Sequence, residues 1–384
     1  MITTIADASQ VAEARRLVSG HARRTGMSEA RVAQVAVVVT ELATNLLKHA
    51  GGGQILAQRC DDGEGVGLEV LALDRGRGMA DVDRCMADGY STAGSPGNGL
   101  GAVIRLADDV RIYSRTNVGS AIMVRFLHDT VGGGAVSGVG NLTRGGDQFH
   151  HLTDKPGGSG LGSDPGSRFG PRTARGERRS LLGAAAAPYP GESVCGDQWS
   201  FCETSFGRTL AVADGAGHGI EAARAASLAV QVFQDHADAS CEEIVERMHR
   251  ALAPTRGAAV SVARIDDAAK TVRYVGVGNI VGALVSRDGT RHMVSHNGTA
   301  GHVAPRIREF TYDFSGDPLV IMHSDGLTGR WDLAAYPGLA AQHPSLIAGV
   351  LLRDYRRARD DATVVAMRPF TPGPSALAIA GRTA

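Results

Sequence analysis

The stretch Thr209-Leu-Ala-Val-Ala-Asp-Gly-Ala-Gly-His-Gly219 limits the possible folds more than any other part of the chain. Leu210 to Ala213 read as a buried strand. The strand ends on Asp214, and Gly215, Gly217 and Gly219 let the chain turn into the Ala-rich run 220–230, which reads as a helix. A carboxylate at the end of a buried strand needs a partner, because burying it unpaired is costly. A divalent cation is one such partner. Acidic residues beside a turn or glycine recur as Asp197 in Cys-Gly-Asp-Gln, Asp325 in His-Ser-Asp-Gly and the pair Asp360-Asp361 in Arg-Asp-Asp-Ala-Thr. Each alone reads as an ordinary turn or cap aspartate. Taken together they fit a hard-metal site built from oxygen ligands.

Gly196-Asp197, Asp214-Gly-Ala-Gly-His-Gly219, Ser324-Asp-Gly326 and Asp360-Asp-Ala-Thr363 together resemble the metal-dependent (PPM-type) protein serine/threonine phosphatases, in particular the bacterial SpoIIE/RsbX branch. The resemblance spans residues 181–370 and implies an αββα sandwich with two Mn²⁺ or Mg²⁺ ions. It makes Asp214 the bridging ligand and the Gly215 carbonyl a further one. Asp197 would hold the first metal or its ordering waters, and Asp325 and Asp360 the second, with Asp361 the alternative to Asp360. Larger members of the family place a proton-donating histidine directly after Asp-Gly; Ala216 stands there. His218, two residues on, either acts through water or has a structural place at the helix start.

The first third of the chain carries a second set of motifs. Residues 8–19 and 28–49 read as helices, the second capped by Ser28 without a capping box. Its apolar positions (Val32, Val35, Ala36, Val39, Leu42, Ala43, Leu46) recur at three-and-four spacing and mark a core face. Glu41, Asn45 and His49 share another line of that helix. Residues 54–60 and 67–73 read as strands, the second ending in Asp74-Arg-Gly-Arg-Gly-Met79. The run Gly94-Ser-Pro-Gly-Asn-Gly-Leu-Gly101 then opens an apolar stretch, and a Gly-rich loop at a helix start offers free N–H groups to phosphate oxygens.

With Thr40-Glu-Leu-Ala-Thr-Asn-Leu-Leu-Lys-His-Ala50, these boxes resemble the GHKL ATPase fold, the RsbT/RsbW anti-sigma-factor kinases above all, over residues 1–127. The resemblance implies an α/β sandwich that binds ATP with Mg²⁺. Asn45 would hold the ion, Glu41 would act as base, and Asp74 would accept from the adenine amino group. Gly76 and Gly78 would let the backbone approach the base, and Gly97, Gly99 and Gly101 would close over the phosphates. Ser120 stands where the family usually has threonine. No phosphoacceptor helix is evident, so any phosphate would pass to a Ser or Thr of another protein.

Residues 128–180 are rich in Gly, Ser and Pro and poor in apolar side chains, which predicts a flexible linker; residues 371–384 read as a tail. His150-His151 and the arginines near residue 175 read there as solvated. The 384-residue chain has no net charge, which gives no general attraction to nucleic acid or membrane. Its five cysteines lack zinc spacing and read as reduced. There is no signal-peptide pattern and no run of about 18 apolar residues, so a cytoplasmic chain is expected.

The remainder reads as an α+β arrangement: strands near 181–187, 198–203, 209–213, 258–265, 271–277, 282–286, 318–323 and 362–367, with helices over 220–236, 242–252 and 344–355. The resemblances imply a phosphatase tethered to a kinase domain, both acting on a small STAS-type anti-anti-sigma or stressosome protein. The alternative is a phosphatase whose N-terminal domain senses ATP or a partner without transferring phosphate.

Overall fold

A computed structural model describes residues 1–61, 66–82, 99–128, 182–304 and 306–369. All of these belong to one compact unit. The predicted linker and tail, with His150-His151, lie outside them.

The N-terminal part is a five-stranded antiparallel sheet in the order β1-β2-β3-β5-β4, with β1 Ile2–Ile5, β2 Gly53–Asp61, β3 Val66–Leu73, β4 Asp109–Arg115 and β5 Gly119–Leu127. Helices α1 (Ala8–Arg24), α2 (Glu29–Ala50) and α3 (Gly99–Leu106) cover one face. Helix α1 runs five residues past the expected end at residue 19, because Ala14, Val18 and Ala22 keep the same buried face going. It begins with a capping box: the Asp7 carboxylate accepts from the Ser9 and Gln10 N–H groups, and the Gln10 side chain reaches back to the Asp7 N–H. Ser28 caps α2 as expected, and Gly51 ends it in a left-handed conformation. Among the described helices α2 alone is long and apolar enough to cross a membrane, with a mean hydropathy of 1.3. Here Val32, Val35, Val39, Leu42 and Leu46 pack it against the sheet. Strands β1 and β4 were not expected from the sequence; both lie at the sheet edges, and β1 is only four residues long.

The C-terminal part is two five-stranded antiparallel sheets. One has the order β13-β10-β9-β8-β7, with β7 Asp197–Thr204, β8 Gly207–Gly215, β9 Ala258–Asp266, β10 Thr271–Val277 and β13 Phe310–Asp313. The other has the order β12-β11-β14-β15-β6, with β6 Leu182–Ala187, β11 Val281–Ser286, β12 Gly289–Met293, β14 Leu319–His323 and β15 Ala362–Met367. Leu210, Val212, Tyr274, Leu284, Met322 and Val365 fill the space between them. Helices α4 (Gly219–Asp235) and α5 (Cys241–Ala251) cover the outer face of the first sheet. The short turns at residues 267–270 and 287–288 close antiparallel pairs, as read from the sequence. Strands β12 and β13, at sheet edges, went unread; exposed polar residues and few apolar ones make them quiet in sequence.

Helix α6 (Pro344–Tyr355) is buried from Pro344 through Arg353. A helix apolar on all sides must be covered on all sides. One side meets β6 and β15; the other meets the N-terminal sheet through Leu71, Leu73 and Met123. Gly349 sits against Leu73, where a Cβ would come within 3.1 Å of the leucine side chain. Leu56, Leu73, Met123, Ile347, Leu351, Ile321 and Val364 belong to one continuous apolar cluster.

Candidate active site

Strands β7 and β8 pair with Asp197 directly opposite Asp214. Facing residues on neighbouring strands hold their Cβ atoms about 5 Å apart, so the register alone brings these carboxylates together. The second sheet supplies the rest. Asp325 follows the end of β14, and Asp360-Asp361 immediately precede β15. Ser324 ties the two sheets: its hydroxyl donates to Asp197 Oδ2 at 2.6 Å and accepts the Thr363 N–H at 3.0 Å. Asp214, Asp325 and Asp360 then line one cleft of about 500 Å³ with Tyr189, His218 and Asn279.

The glycines beside these aspartates are required by close packing. A Cβ on Gly215 would lie 2.0 Å from the Ala222 carbonyl oxygen, and one on Gly326 would lie 1.8 Å from that of Asp361. Each Asp-Gly pair is therefore a place where two backbones touch, which fixes the preceding carboxylate.

The electrostatics are those of crowded anions. Burial pushes the Asp214 carboxyl well above the usual carboxylate range, and the charges of Asp197, Asp325 and Asp360 push it further. Asp197 is raised chiefly by burial, against the lowering effect of the Ser324 hydroxyl. Asp360 is raised by burial and by Asp325. Two buried acceptor oxygens, Asp197 Oδ1 and Asp361 Oδ2, have no hydrogen-bond donor. Among the described residues no three acidic, thiol or imidazole side chains close into a ready-made metal cage. The carboxylates instead border a shared space, and an all-oxygen donor set with unmet acceptors fits a hard divalent cation. The neighbours Asp360 and Asp361 differ: Asp360 faces the cleft, while Asp361 is buried and accepts the Tyr189 N–H at 2.8 Å.

His218 stands at the N-cap of α4, the helix start read from the sequence, without a side-chain cap bond. Its ring stacks on Tyr189 at 4.4 Å between centroids, and Nδ1 lies 3.0 Å from Glu192 Oε1. Asn279 donates to Asp325 Oδ2 at 2.7 Å. Ser324, Thr363, Tyr189 and Glu192 are site residues that sequence reasoning misses; the first two lie inside the motifs Ser-Asp-Gly and Asp-Asp-Ala-Thr, whose acids carry the signal. Cys195 is a packing residue, its thiol directed at the Ala187 carbonyl and its pKa pushed far up by burial.

In the N-terminal part, Asp74 sits just past the end of β3, and its Oδ1 accepts the N–H groups of Gly76 at 2.8 Å and Ser120 at 3.2 Å. Burial raises its carboxyl and these two bonds oppose the rise. The Ser120 hydroxyl is engaged with Ser114 Oγ at 2.9 Å, which in turn accepts the Met79 N–H. Glu41 and Asn45 are half-buried on one line of α2. A Cβ on Gly99 would sit 2.9 Å from Glu41 Oε2, so this glycine lets the start of α3 approach the carboxylate. Gly101 is buried in the first turn of α3; Gly97 lies outside the described residues.

Gly76 and Gly78 are also demanded by the packing around them. The room a side chain would take at Gly76 is filled by Ala50, 2.6 Å away, and at Gly78 by the Arg115 carbonyl oxygen at 2.1 Å, with Gly78 at φ +66°. The protein's own packing therefore requires a glycine at both positions.

Comparison with known proteins agrees with both halves. Residues 4–126 match the histidine kinase-like ATPase domain family, and residues 207–370 match the Stage II sporulation protein E (SpoIIE) family. The chain is 35% identical over 112 residues to the serine/threonine-protein kinase RsbT of Bacillus subtilis strain 168, covering 29% of this chain and 84% of that protein. It is 28% identical over 138 residues to the phosphoserine phosphatase RsbX of the same organism, covering 36% of this chain and 69% of that one. A crystal structure of RsbX with magnesium aligns with 22% identity and a TM-score of 0.44, over 50% of this chain and 98% of that one.

One chain thus joins an ATPase module of the kinase type to a PPM-type serine/threonine phosphatase module. Through its N-terminal part it belongs to the RsbT family of serine/threonine kinases.

Proposed function

We infer that the C-terminal part removes phosphate from a serine or threonine of a small STAS-domain partner, and that the N-terminal part binds ATP and phosphorylates the same class of protein. The observation that carries the hydrolase reading is Asp214 lining one cleft with Asp325 and Asp360, with buried Asp197 paired opposite it in register and acceptor oxygens left unmet. Asp214, the Gly215 carbonyl and Asp197 are the residues to hold a first Mn²⁺ or Mg²⁺, and Asp325 and Asp360 a second. Bound there, such ions supply a water acidified toward hydroxide and neutralise the phosphoryl charge.

The chain's own residues do the rest. Ser324 fixes the rotamer of Asp197, and Asn279 that of Asp325. His218, oriented by Glu192 through Nδ1, presents its other ring nitrogen for protonating the serine oxygen as it leaves. In the N-terminal part, Asp74 accepts from the adenine amino group through Oδ2, since Oδ1 is held by backbone. Asn45 would hold the Mg²⁺ that accompanies ATP, and Glu41 would take the proton of the attacking hydroxyl. Gly99 and Gly101 give the phosphates access to the α3 N-terminus. A chain that draws on ATP is expected in the cytoplasm.

Replacing Asp214 by Ala should abolish Mn²⁺-dependent phosphate release from a phosphorylated STAS protein; undiminished release removes the phosphatase reading. Transfer of label from ATP to the unphosphorylated partner by the wild type, lost in Glu41→Ala, tests the kinase half. If the wild type transfers none, the N-terminal part is a nucleotide or partner sensor.

A further inference from the structure

The proposed nucleotide pocket meets the last turn of α6 at Arg353, and the proposed phosphatase cleft meets the chain leaving α6 at Asp360, seven residues on. Arg353, in its last turn, is 8% exposed. Its Nη1 donates to the Asp74 carbonyl at 2.7 Å and the Ser120 carbonyl at 3.3 Å. Those are the two residues that frame the pocket, and they also bond to each other. Asp354 accepts Arg353 Nε and Nη2 at 2.9 and 2.6 Å, Arg75 Nε at 3.3 Å and the Tyr336 hydroxyl at 2.9 Å. Arg75 also donates to the Arg353 carbonyl.

The chain leaving α6 is clamped just as closely on the other side. Thr328 N–H donates to the Tyr355 carbonyl at 2.9 Å, and Arg357 N–H to the Gly326 carbonyl at 2.7 Å, beside Asp325. Arg356 donates to the Pro188 carbonyl at 2.5 Å, and Tyr189 donates to Asp361. A short exposed turn, residues 357–359, then leads to Asp360, so only a few residues separate the adenine-side strand ends from the two acids proposed for the second ion.

Apolar contact alone would glue the two parts together, and α6 already provides it. A buried guanidinium is an expensive addition that apolar packing replaces without loss of stability. What it adds here is a fixed relation between two particular strand ends and one helix terminus, the kind of two-sided element through which coupling travels.

We propose that nucleotide occupancy at Asp74 controls the phosphatase cleft through Arg353 and the α6 terminus, by setting the position of Asp360 and Asp325. This rests on the hydrolase reading above and adds its regulation. Arg353 is a positioning residue in this scheme. Coupling between two binding events is reciprocal, so the nucleotide changes cation affinity by the same factor that the cation changes nucleotide affinity.

The test uses the full chain with p-nitrophenyl phosphate at buffered free Mn²⁺, with and without saturating ADP. In the wild type ADP should shift the half-saturating Mn²⁺ concentration at least about threefold, within the usual range of allosteric couplings. Arg353→Met, and the surface variant Arg75→Gln as a check that does not disturb the interior, should keep turnover without ADP and lose most of the shift. Hydrogen exchange gives a second readout free of turnover: ADP should change amide protection over residues 353–361 in the wild type and not in Arg353→Met. A wild type that binds ADP with unchanged Mn²⁺ half-saturation and with protection confined to residues 1–128 overturns the proposal, as does a full shift in both variants. Absence of any Mn²⁺-dependent hydrolysis sinks the hydrolase reading itself and the coupling with it.

Discussion

The Ser324 hydroxyl donates to Asp197 Oδ2 at 2.6 Å, across the gap between the two C-terminal sheets. It is the bond that makes one site of two separately built halves, since Asp197 and Asp214 arrive on one sheet and Asp325 and Asp360 on the other.

Ser324→Ala leaves Asp197 without its donor and frees its rotamer. Loss of such a supporting bond weakens metal affinity about 10–100-fold. The Mn²⁺ dependence of p-nitrophenyl phosphate hydrolysis should move right by that factor, with kcat at saturating Mn²⁺ changed less than the half-saturating concentration.

Asp214→Asn removes one charge from a cluster whose members repel. Phosphate release should fall about 10³-fold, the scale on which lost transition-state electrostatics are felt. The metal-free chain should nevertheless melt at a higher temperature than the wild type, and should lose the stabilisation that Mn²⁺ gives the wild type. Calorimetry with and without chelator reads both effects.

His218→Ala separates leaving groups. A phosphoserine peptide departs as a poor leaving group that needs a proton, and its kcat should fall about 10²-fold. p-Nitrophenolate departs without one and should be slowed little. Glu192→Gln should show the same pattern more weakly. Equal losses on both substrates would assign His218 to binding instead.

Gly78→Ala should destabilise by about 2 kcal/mol or more, because its positive φ and the Arg115 carbonyl leave no place for a methyl group. Gly329→Ala, with nothing within 4 Å and no positive φ, is the matched control and should be near neutral. Denaturant melts compare them; a Gly78→Ala chain as stable as the wild type would show that the Arg115 carbonyl moves aside at little cost.

His343 makes acid stability a property of α6. Its Nδ1 accepts the Ser345 N–H at 3.1 Å, capping the helix, and this needs a neutral ring. Loss of water holds its pKa well below the usual 6.5, and Arg125, Arg111 and Arg368 push it the same way. The folded state therefore refuses a proton that the unfolded chain accepts. The contribution is intact above pH 6.5 and is lost as pH falls below it, by at most about 1.4 kcal/mol per pH unit. His343→Asn keeps a capping acceptor and should flatten that acid limb between pH 6.5 and 5 in a comparison of unfolding free energies.

The parts of the fold legible in sequence were those where one residue type has one cause. Asp214 at the end of an apolar run, followed by glycines, marked both a strand end and a site. The spacing of Val35, Val39, Leu42 and Leu46 marked α2. Strands β12 and β13 left no such trace, because edge strands bury few side chains. Ser324 was passed over because a hydroxyl inside Ser-Asp-Gly looks like any turn serine; its role depends on β7 lying opposite, a contact 127 residues away. The crowding of Gly76 by Ala50 and of Gly78 by Arg115 is a packing demand that no local pattern shows.

The helix Pro344–Tyr355 has one more consequence. Leu71, Leu73 and Met123 on one side and Ala185, Ile321 and Val364 on the other are shielded by it together. Cutting the gene between the two halves would strand a wet greasy sheet on the first product. Residues 1–128 expressed alone should clump, and activities reported for such fragments would describe a damaged object.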